Sequence, residues 1–325
     1  VSVLQLGFSY NTLRLKTHQS TALGYTRIFF MSLAQLYAAH EGFVSDKWDI
    51  YLSEYERLFN RLRLEPVSVL EIGVQNGGSV EIWNKYFPNA TSIIGCDINP
   101  QCDQLTYSSD KIAIIIGDIK DVHTRSAIYA ISTTLDIIID DGSHTSSDII
   151  EAFGCLFPCL KQGGIFVAED LHCSYWGEWE GGLYNPSSSM AFFKVLADII
   201  NYEHWELDLS RTQALQPFGI SSALCEELLA EIHSVEFVNS MCIITRRPIE
   251  QNVLGVRHVV GRDEPVCPVK QVDGTFCESP PQHVDVKLLE ITELELRRKQ
   301  LLEQLSHTEK QLNVLRRNTG MDTQD

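Results

Sequence analysis

Short, continuous apolar runs alternate along this chain with stretches whose apolar positions recur every three or four residues. The runs cover 67–72, 92–97, 112–116, 135–140 and 165–169. Continuous apolar runs predict strands buried on both faces, whereas strands with one face in water alternate. Helical spacing is found over 79–87, 121–131, 146–160 and 188–202. Strands alternating with helices predict right-handed crossovers and a parallel sheet. Two further runs, 234–238 and 241–245, are separated only by Asn239 and Ser240, which predicts a tight antiparallel hairpin.

The flanks read differently. Irregular chain up to about Gly42 runs into a helix, and a second helix over 47–63 has Trp48, Tyr51, Tyr55, Leu58, Phe59 and Leu62 at helical spacing, ending before Pro66. Residues 249–285 hold little periodicity and several prolines, as a linker or arm would. Beyond them Ile291, Leu294, Leu301, Leu305, Leu312 and Leu315 fall on alternating three- and four-residue steps, with Arg298 and Thr308 interrupting the seam. That repeat predicts a coiled coil, with a lone amphipathic helix as the lesser reading. The expected layout is a helical cap over 1–63, an α/β core over 64–248, an arm over 249–285, a coiled-coil helix over 286–318 and a disordered tail over 319–325.

Composition narrows the function. The chain has 325 residues, 44% hydrophobic and 21% charged, enough for one good-sized core with appendages. A formal net charge of -17 repels phosphate backbones and argues against a nucleic-acid partner. The nine cysteines are scattered with no Cys-x-x-Cys pair, as free thiols in a reducing compartment would be. A disulfide or zinc pair at Cys267 and Cys277 is the minor alternative. The apolar stretch from Arg27 to Ala39 lies too far into the chain for a signal peptide and contains Gln35. No run approaches the roughly 20 apolar residues that span a bilayer. The expected location is the cytoplasm, at most peripheral at an inner membrane through partners. The sequence opens on Val1 rather than Met, as a piece of a longer protein would.

Two acidic stops carry the chemistry. One run ends in Asp140-Asp141-Gly-Ser-His144, the other in Glu169-Asp170-Leu-His172. Carboxylates cannot stay inside such strands, so they sit at the carboxyl ends, where ligands of open parallel sheets bind. If the two strands are neighbours, Asp140, Asp141, Glu169 and Asp170 converge, with His144 a helical step beyond. Converging hard oxygens suit Mg²⁺, Mn²⁺ or Ca²⁺. The turn after the first strand, Glu71-Ile-Gly73-Val-Gln-Asn-Gly77-Gly78, opens a helix, and its glycines let a ligand approach the backbone. The next strand ends in Asp97, where a ribose would be held, and the one after in Gly117-Asp118, beside a purine.

The glycine turn, Asp97, Asp118 and the terminal hairpin together resemble a class I S-adenosylmethionine-dependent methyltransferase, an α/β Rossmann-like fold. More narrowly, Ser45-Asp-Lys-Trp48, Leu70-Glu-Ile-Gly73, Asp140-Asp-Gly-Ser-His144, Leu160-Lys-Gln-Gly-Gly164 and Glu169-Asp-Leu-His-Cys-Ser-Tyr-Trp176 resemble the metal-dependent macrolide-sugar O-methyltransferases and related methyltransferases of polysaccharide gene clusters. The resemblance covers about 33–246. It implies S-adenosylmethionine contacts from Glu71, Gly73, Gly77, Asp97, Asp118 and Asp140, Mg²⁺ on Asp141, Glu169 and Asp170, and His144 as general base. The glycine turn lacks an insertion present in some relatives. Plainer roles stay open: His144 as a helix cap, Asp140 as a strand-end anchor, and His172 as support for a ligand. Tyr175, Trp176 and Trp179 either stack on a sugar or fill a lid.

The expected function is therefore Mg²⁺-dependent O-methylation of a sugar hydroxyl. The tail tips the expectation towards a bacterial polysaccharide such as an O-antigen, with a chain-capping role. A glycosylated natural product or other small molecule is the first alternative, and an inactive scaffold working through its coiled coil is the second. The expected partners are a sugar-bearing acceptor and, through the tail, a second copy of the chain or fused glycosyltransferase modules.

Overall fold

The computed structural model describes residues 30–220, 223–280 and 286–319. The expected irregular start and the end of the tail, 1–29 and 320–325, lie outside the described residues. In chain order the elements are α1 (Leu33–Ala38), α2 (Asp49–Phe59), β1 (Ser68–Ile72), α3 (Gly78–Tyr86), β2 (Ser92–Asp97), β3 (Ile112–Ile116), α4 (Val122–Ile131) and β4 (Leu135–Asp140). They continue as α5 (Ser146–Leu156), β5 (Leu160–Ala168), α6 (Ser189–Ile200), α7 (Arg211–Leu215), α8 (Glu226–Ala230), β6 (Ile232–Val238), β7 (Met241–Arg246) and α9 (Val286–Thr319). Short 3₁₀ turns link several of them.

One seven-stranded sheet has the order β3-β2-β1-β4-β5-β7-β6. The first five strands are parallel, and β7 joins β5 antiparallel, completing the hairpin with β6. This is the parallel sheet closed by an antiparallel hairpin that the sequence pattern predicts, in the Rossmann-like arrangement that the resemblance implies. Its central strands are buried throughout, as continuous apolar runs require: β1 wholly, and β4 at every position but Asp136.

Each face of the sheet has its own core. On one face Phe153, Phe157, Phe166, Phe192 and Phe193 join α5 and α6 to β5. On the other Tyr55, Phe59, Trp83 and Phe87 pack α2 against α3, with Tyr55 stacked on Phe59 at 5.0 Å and edge-on to Trp83 at 5.2 Å. That second core fixes the N-terminal helices to the sheet, and so places the segment before α2 over the strand ends.

Two expectations shift. The helix predicted over 146–160 stops at Leu156, because Pro158 has no amide hydrogen to continue it. β5 then begins at Leu160, five residues earlier than expected, and passes Gly163 at φ 83° beside a register shift opposite Leu135 and Ile137. The two short helices α7 and α8 were not expected. Cys267 and Cys277 are exposed free thiols, so the disulfide left open is not formed. The tail is one helix of 34 residues, α9, whose Leu294, Leu301, Leu305 and Leu312 lie at the surface. Among the described residues no second helix of this chain runs along that seam, so the helix presents its leucines for a partner outside the chain.

Candidate active site

A cavity of about 500 Å³ opens at the carboxyl ends of β1 to β5. The strand tips are held in register past the strands proper: Asp141 N–H donates to the Ile72 carbonyl at 2.9 Å, and Glu169 N–H to the Asp140 carbonyl at 2.9 Å. β4 and β5 are neighbours, the condition the sequence left open, so their acidic stops sit side by side.

The nucleoside half is built from backbone. Gly73 has φ 87°, and a Cβ there would collide with the Asp141 carbonyl, so only glycine lets the β1 turn pass the β4 turn. Gly77 caps α3 at φ 83° and lies behind the cavity, against Leu105 and Tyr107. Asp97 accepts from the N–H groups of Val74 and Gln75 at 2.8 and 2.9 Å, which holds its carboxylate at the rim and the glycine turn open. Asp118 lines the far wall, beside Lys120. Asp140 accepts only a long bond from Gly142 N–H at 3.4 Å, and its Oδ2 is buried with no hydrogen-bond partner. Burial pushes its carboxyl up to about 7. A buried, unpaired acceptor beside a nucleoside-sized cavity fits a hydrogen-bonding ligand.

The acidic half of the cavity centres on Asp141, His144 and Asp170, whose ligand atoms lie within 4.8 Å of one another. His144 Nε2 stands 3.6 Å from Asp170 Oδ2. Both His144 and Asp170 have left-handed backbone, at φ 59° and 53°, which costs energy in non-glycine residues and is common at functional sites. Tyr51 fixes Asp170 twice: its hydroxyl donates to Oδ1 at 2.7 Å and accepts the Asp170 N–H at 3.0 Å. Two oxygens and an imidazole at this spacing, with a third carboxylate nearby, suit a hard divalent cation.

Glu169 faces inward. Its carboxylate accepts from Tyr55 Oη and from Lys47 Nζ, the latter at 3.0 Å. Glu71 likewise accepts from Ser79 Oγ at 2.6 Å and lies 3.4 Å from Lys47 rather than lining the cavity. Lys47 also donates to Asp141 Oδ2. A fully buried ammonium thus sits among three carboxylates. Burial opposes its charge, yet Glu169, Glu71 and Asp141 outweigh that and hold Lys47 charged well above the usual range. Burial raises Glu71 and Asp141, and raises Glu169 to about 8. Sequence reasoning did not place Lys47 in the site. The only signal was its position in the Asp46-Lys47-Trp48 triplet before an aromatic-rich helix.

His172 bonds Ser240 Oγ through Nδ1 and packs edge-on to Trp48 and Trp176. It stands 3.9 Å from Asp170, so it backs the cluster. Tyr175 and Trp176 are exposed and are not among the residues lining the cavity. His204 lies apart, beside Glu203 and Ser279.

Residues 70–171 match a family model described as a methyltransferase domain. The chain is 34% identical over 171 residues to the 8-demethyl-8-alpha-L-rhamnosyl tetracenomycin-C 2'-O-methyltransferase of Streptomyces olivaceus, covering 50% of this chain and 44% of that protein. It is 33% identical to the mycinamicin VI 2''-O-methyltransferase of Micromonospora griseorubida, over 50% of this chain and 42% of that one. It thus spans less than half the length of these two curated relatives. The solved structure of MycE, a methyltransferase of mycinamycin biosynthesis in complex with Mg and SAH, superposes with a TM-score of 0.55 and 25% identity, covering 68% of this chain and 56% of that one.

Sheet order, strand-end cavity and domain match define a class I methyltransferase scaffold. Within that class the chain carries a methyltransferase domain resembling the metal-dependent macrolide-sugar O-methyltransferases.

Proposed function

We propose that the chain is an S-adenosylmethionine-dependent, divalent-metal-dependent O-methyltransferase acting on a sugar hydroxyl of a glycosylated natural product. The observation that carries this reading is the Asp141–His144–Asp170 cluster beside a cavity with the buried, unpaired Asp140 Oδ2. The relatives' sugar-bearing acceptors support the choice of substrate class.

A sugar hydroxyl is a poor nucleophile near neutral pH. Asp141 and Asp170 would hold the cation, while Glu169, bonded to Tyr55 and Lys47, would support Asp141 from behind through Lys47. A divalent cation there supplies charge that acidifies and orients the hydroxyl. His144 takes the hydroxyl proton as the new carbon–oxygen bond forms and the sulfonium carbon–sulfur bond breaks. Asp97 and Asp118 hold the nucleoside end, so much of the rate gain is positioning.

A polysaccharide acceptor is the second reading. It rests on α9 alone, whose exposed leucines offer a seam to a second copy or to glycosyltransferase modules. The test is transfer of labelled methyl from S-adenosylmethionine to a glycosylated macrolide and to oligosaccharides, each with and without chelator. Transfer to the glycoside, lost with chelator and restored by Mg²⁺, is expected. Preference for the oligosaccharides would favour the second reading, and transfer indifferent to chelator would defeat both.

A further inference from the structure

A strip of aromatic side chains runs outward from the acidic cluster, starting at the cavity wall with Trp48 and continuing beyond the cavity lining. It begins at Trp48, whose indole N–H donates to Asp170 Oδ1 at 3.1 Å. Trp48 meets His172 edge-on at 5.9 Å, and His172 meets Trp176 at 5.0 Å. Trp176 then leans on Trp179 at 5.5 Å. Trp48 is 59% exposed and Trp176 49%. Folding gains about 25 cal/mol for each Å² of apolar surface removed from water, so two half-exposed indoles beside a candidate catalytic cluster forgo stabilisation. Contiguous exposed apolar surface of this kind marks a binding face.

The strip is rigid. Trp48 is the N-cap residue of α2, and its ring is tied to Asp170. His172 is tied to Ser240. The turn carrying Trp176 folds back through Glu180 at φ 57° and Gly181, where any Cβ would strike the Ser174 carbonyl. A surface ordered before binding loses little entropy when a ligand lands on it.

Resting on the methyl-transfer reading, we infer that Trp48, His172 and Trp176 form the platform that receives the acceptor's sugar ring, and that this acceptor is an uncharged glycoside. The electron-rich face of an indole attracts positively polarised edges, including the C–H groups on one face of a pyranose. A ring lying there keeps its hydroxyl edge free to reach Asp141, His144 and Asp170. Charge selects against a sugar phosphate or nucleotide sugar. Among the described residues lining the cavity, both ammonium groups are engaged: Lys47 by three carboxylates, and Lys120 by Asp148 at 2.6 Å. The same wall holds Asp46, Asp141, Asp148 and Asp170. Glycosyl transfer from a nucleotide sugar therefore precedes methylation. Trp48 lies in the N-terminal segment ahead of the matched methyltransferase domain, so that segment contributes to acceptor choice.

The platform is tested without turnover by saturation-transfer NMR of methyl α-L-rhamnopyranoside on the 325-residue chain with Mg²⁺. Wild type should transfer saturation mainly to protons on one ring face. Trp48→Ala and Trp176→Ala should each weaken the signal several-fold. Trp48→Phe, which keeps the ring but loses the N–H, should retain it. In methyl-transfer assays the alanine variants should raise the glycoside KM at least tenfold, with kcat within about threefold and S-adenosylhomocysteine affinity by calorimetry unchanged. The inference fails if the alanine variants bind the glycoside as wild type does. It fails if they lose S-adenosylhomocysteine together with the glycoside, or if a nucleotide sugar displaces the glycoside at lower concentration. NMR binding with no methyl transfer to any glycoside would sink the reading beneath it and leave the platform standing.

Discussion

Two residues of the acidic mouth separate chemistry from scaffolding. His144 faces Asp170 and no backbone amide depends on its side chain, so His144→Ala should lower turnover by about 10² to 10⁴, the span of a lost general base. S-adenosylhomocysteine affinity, read by calorimetry, should stay within about twofold, and retained turnover would refute the role. Lys47 is the opposite case. Lys47→Met strands Glu71, Asp141 and Glu169 as buried carboxylates around an apolar chain. Removing one partner of a buried ion cluster costs about 3 to 5 kcal/mol, which urea denaturation would register. A loss below 1 kcal/mol would mean that Lys47 does not balance the cluster. Asp141 and Glu169 were legible in the sequence because they close apolar runs, whereas Glu71 lies inside β1, where the sequence gives no sign of its buried partner. Lys47 was not legible, because it meets Asp141 and Glu169 from 94 and 122 positions away, and no local pattern encodes that meeting.

At the scale of elements, the joints matter most. Gly73→Ala would drive a methyl group into the Asp141 carbonyl at a left-handed backbone position. Strain of that kind costs of order 1 to 3 kcal/mol, and its relief would move Asp141. Thermal unfolding should register the loss, and donor and metal affinity should fall together. A variant that keeps both affinities would show that the two turns are not packed as described. A second joint is Glu226, which ties α8 to α7. Its carboxylate accepts from Thr212 N–H and Oγ at 2.7 and 2.6 Å and from Arg211 N–H at 3.2 Å. Partial burial works against its charge, but these donors win and lower its pKa. A lowered folded-state value means stability that is present above the unfolded pKa, about 4.3, and lost as pH falls through the folded value. Glu226→Gln should therefore lower stability at pH 7, by under about 1 kcal/mol at this partly exposed site. The gap from wild type should close below about pH 4, and a gap independent of pH would remove the charge from the explanation.

The sequence marked the long strands and helices well, since each carries a full period of apolar positions. It missed α7 and α8, which at five residues are too short for any period and are fixed by the Ser210 capping box and by Glu226. It overran α5 because the apolar spacing persists past Pro158, although the backbone hydrogen bonding does not.

Across the whole molecule, the sheet places the candidate site and the N-terminal segment walls its mouth. The N-terminal helices are packed onto the sheet by the aromatic core around Trp83, so the segment 44–51 that they anchor forms one wall of the mouth. α9 stands apart in kind, a long helix with leucines in water. If it joins a second copy, Leu301→Glu with Leu305→Glu should convert an oligomer to a monomer in sedimentation and leave S-adenosylhomocysteine binding unchanged. A wild type that is already monomeric at high concentration would remove self-association through α9.

The most direct test of the central claim is anomalous diffraction from crystals grown with Mn²⁺ and S-adenosylhomocysteine. The account predicts one strong peak about 2.0 to 2.2 Å from oxygens of both Asp141 and Asp170, with the nucleoside between the ends of β2 and β3. No peak at that site, or a peak bound by neither carboxylate, would contradict it.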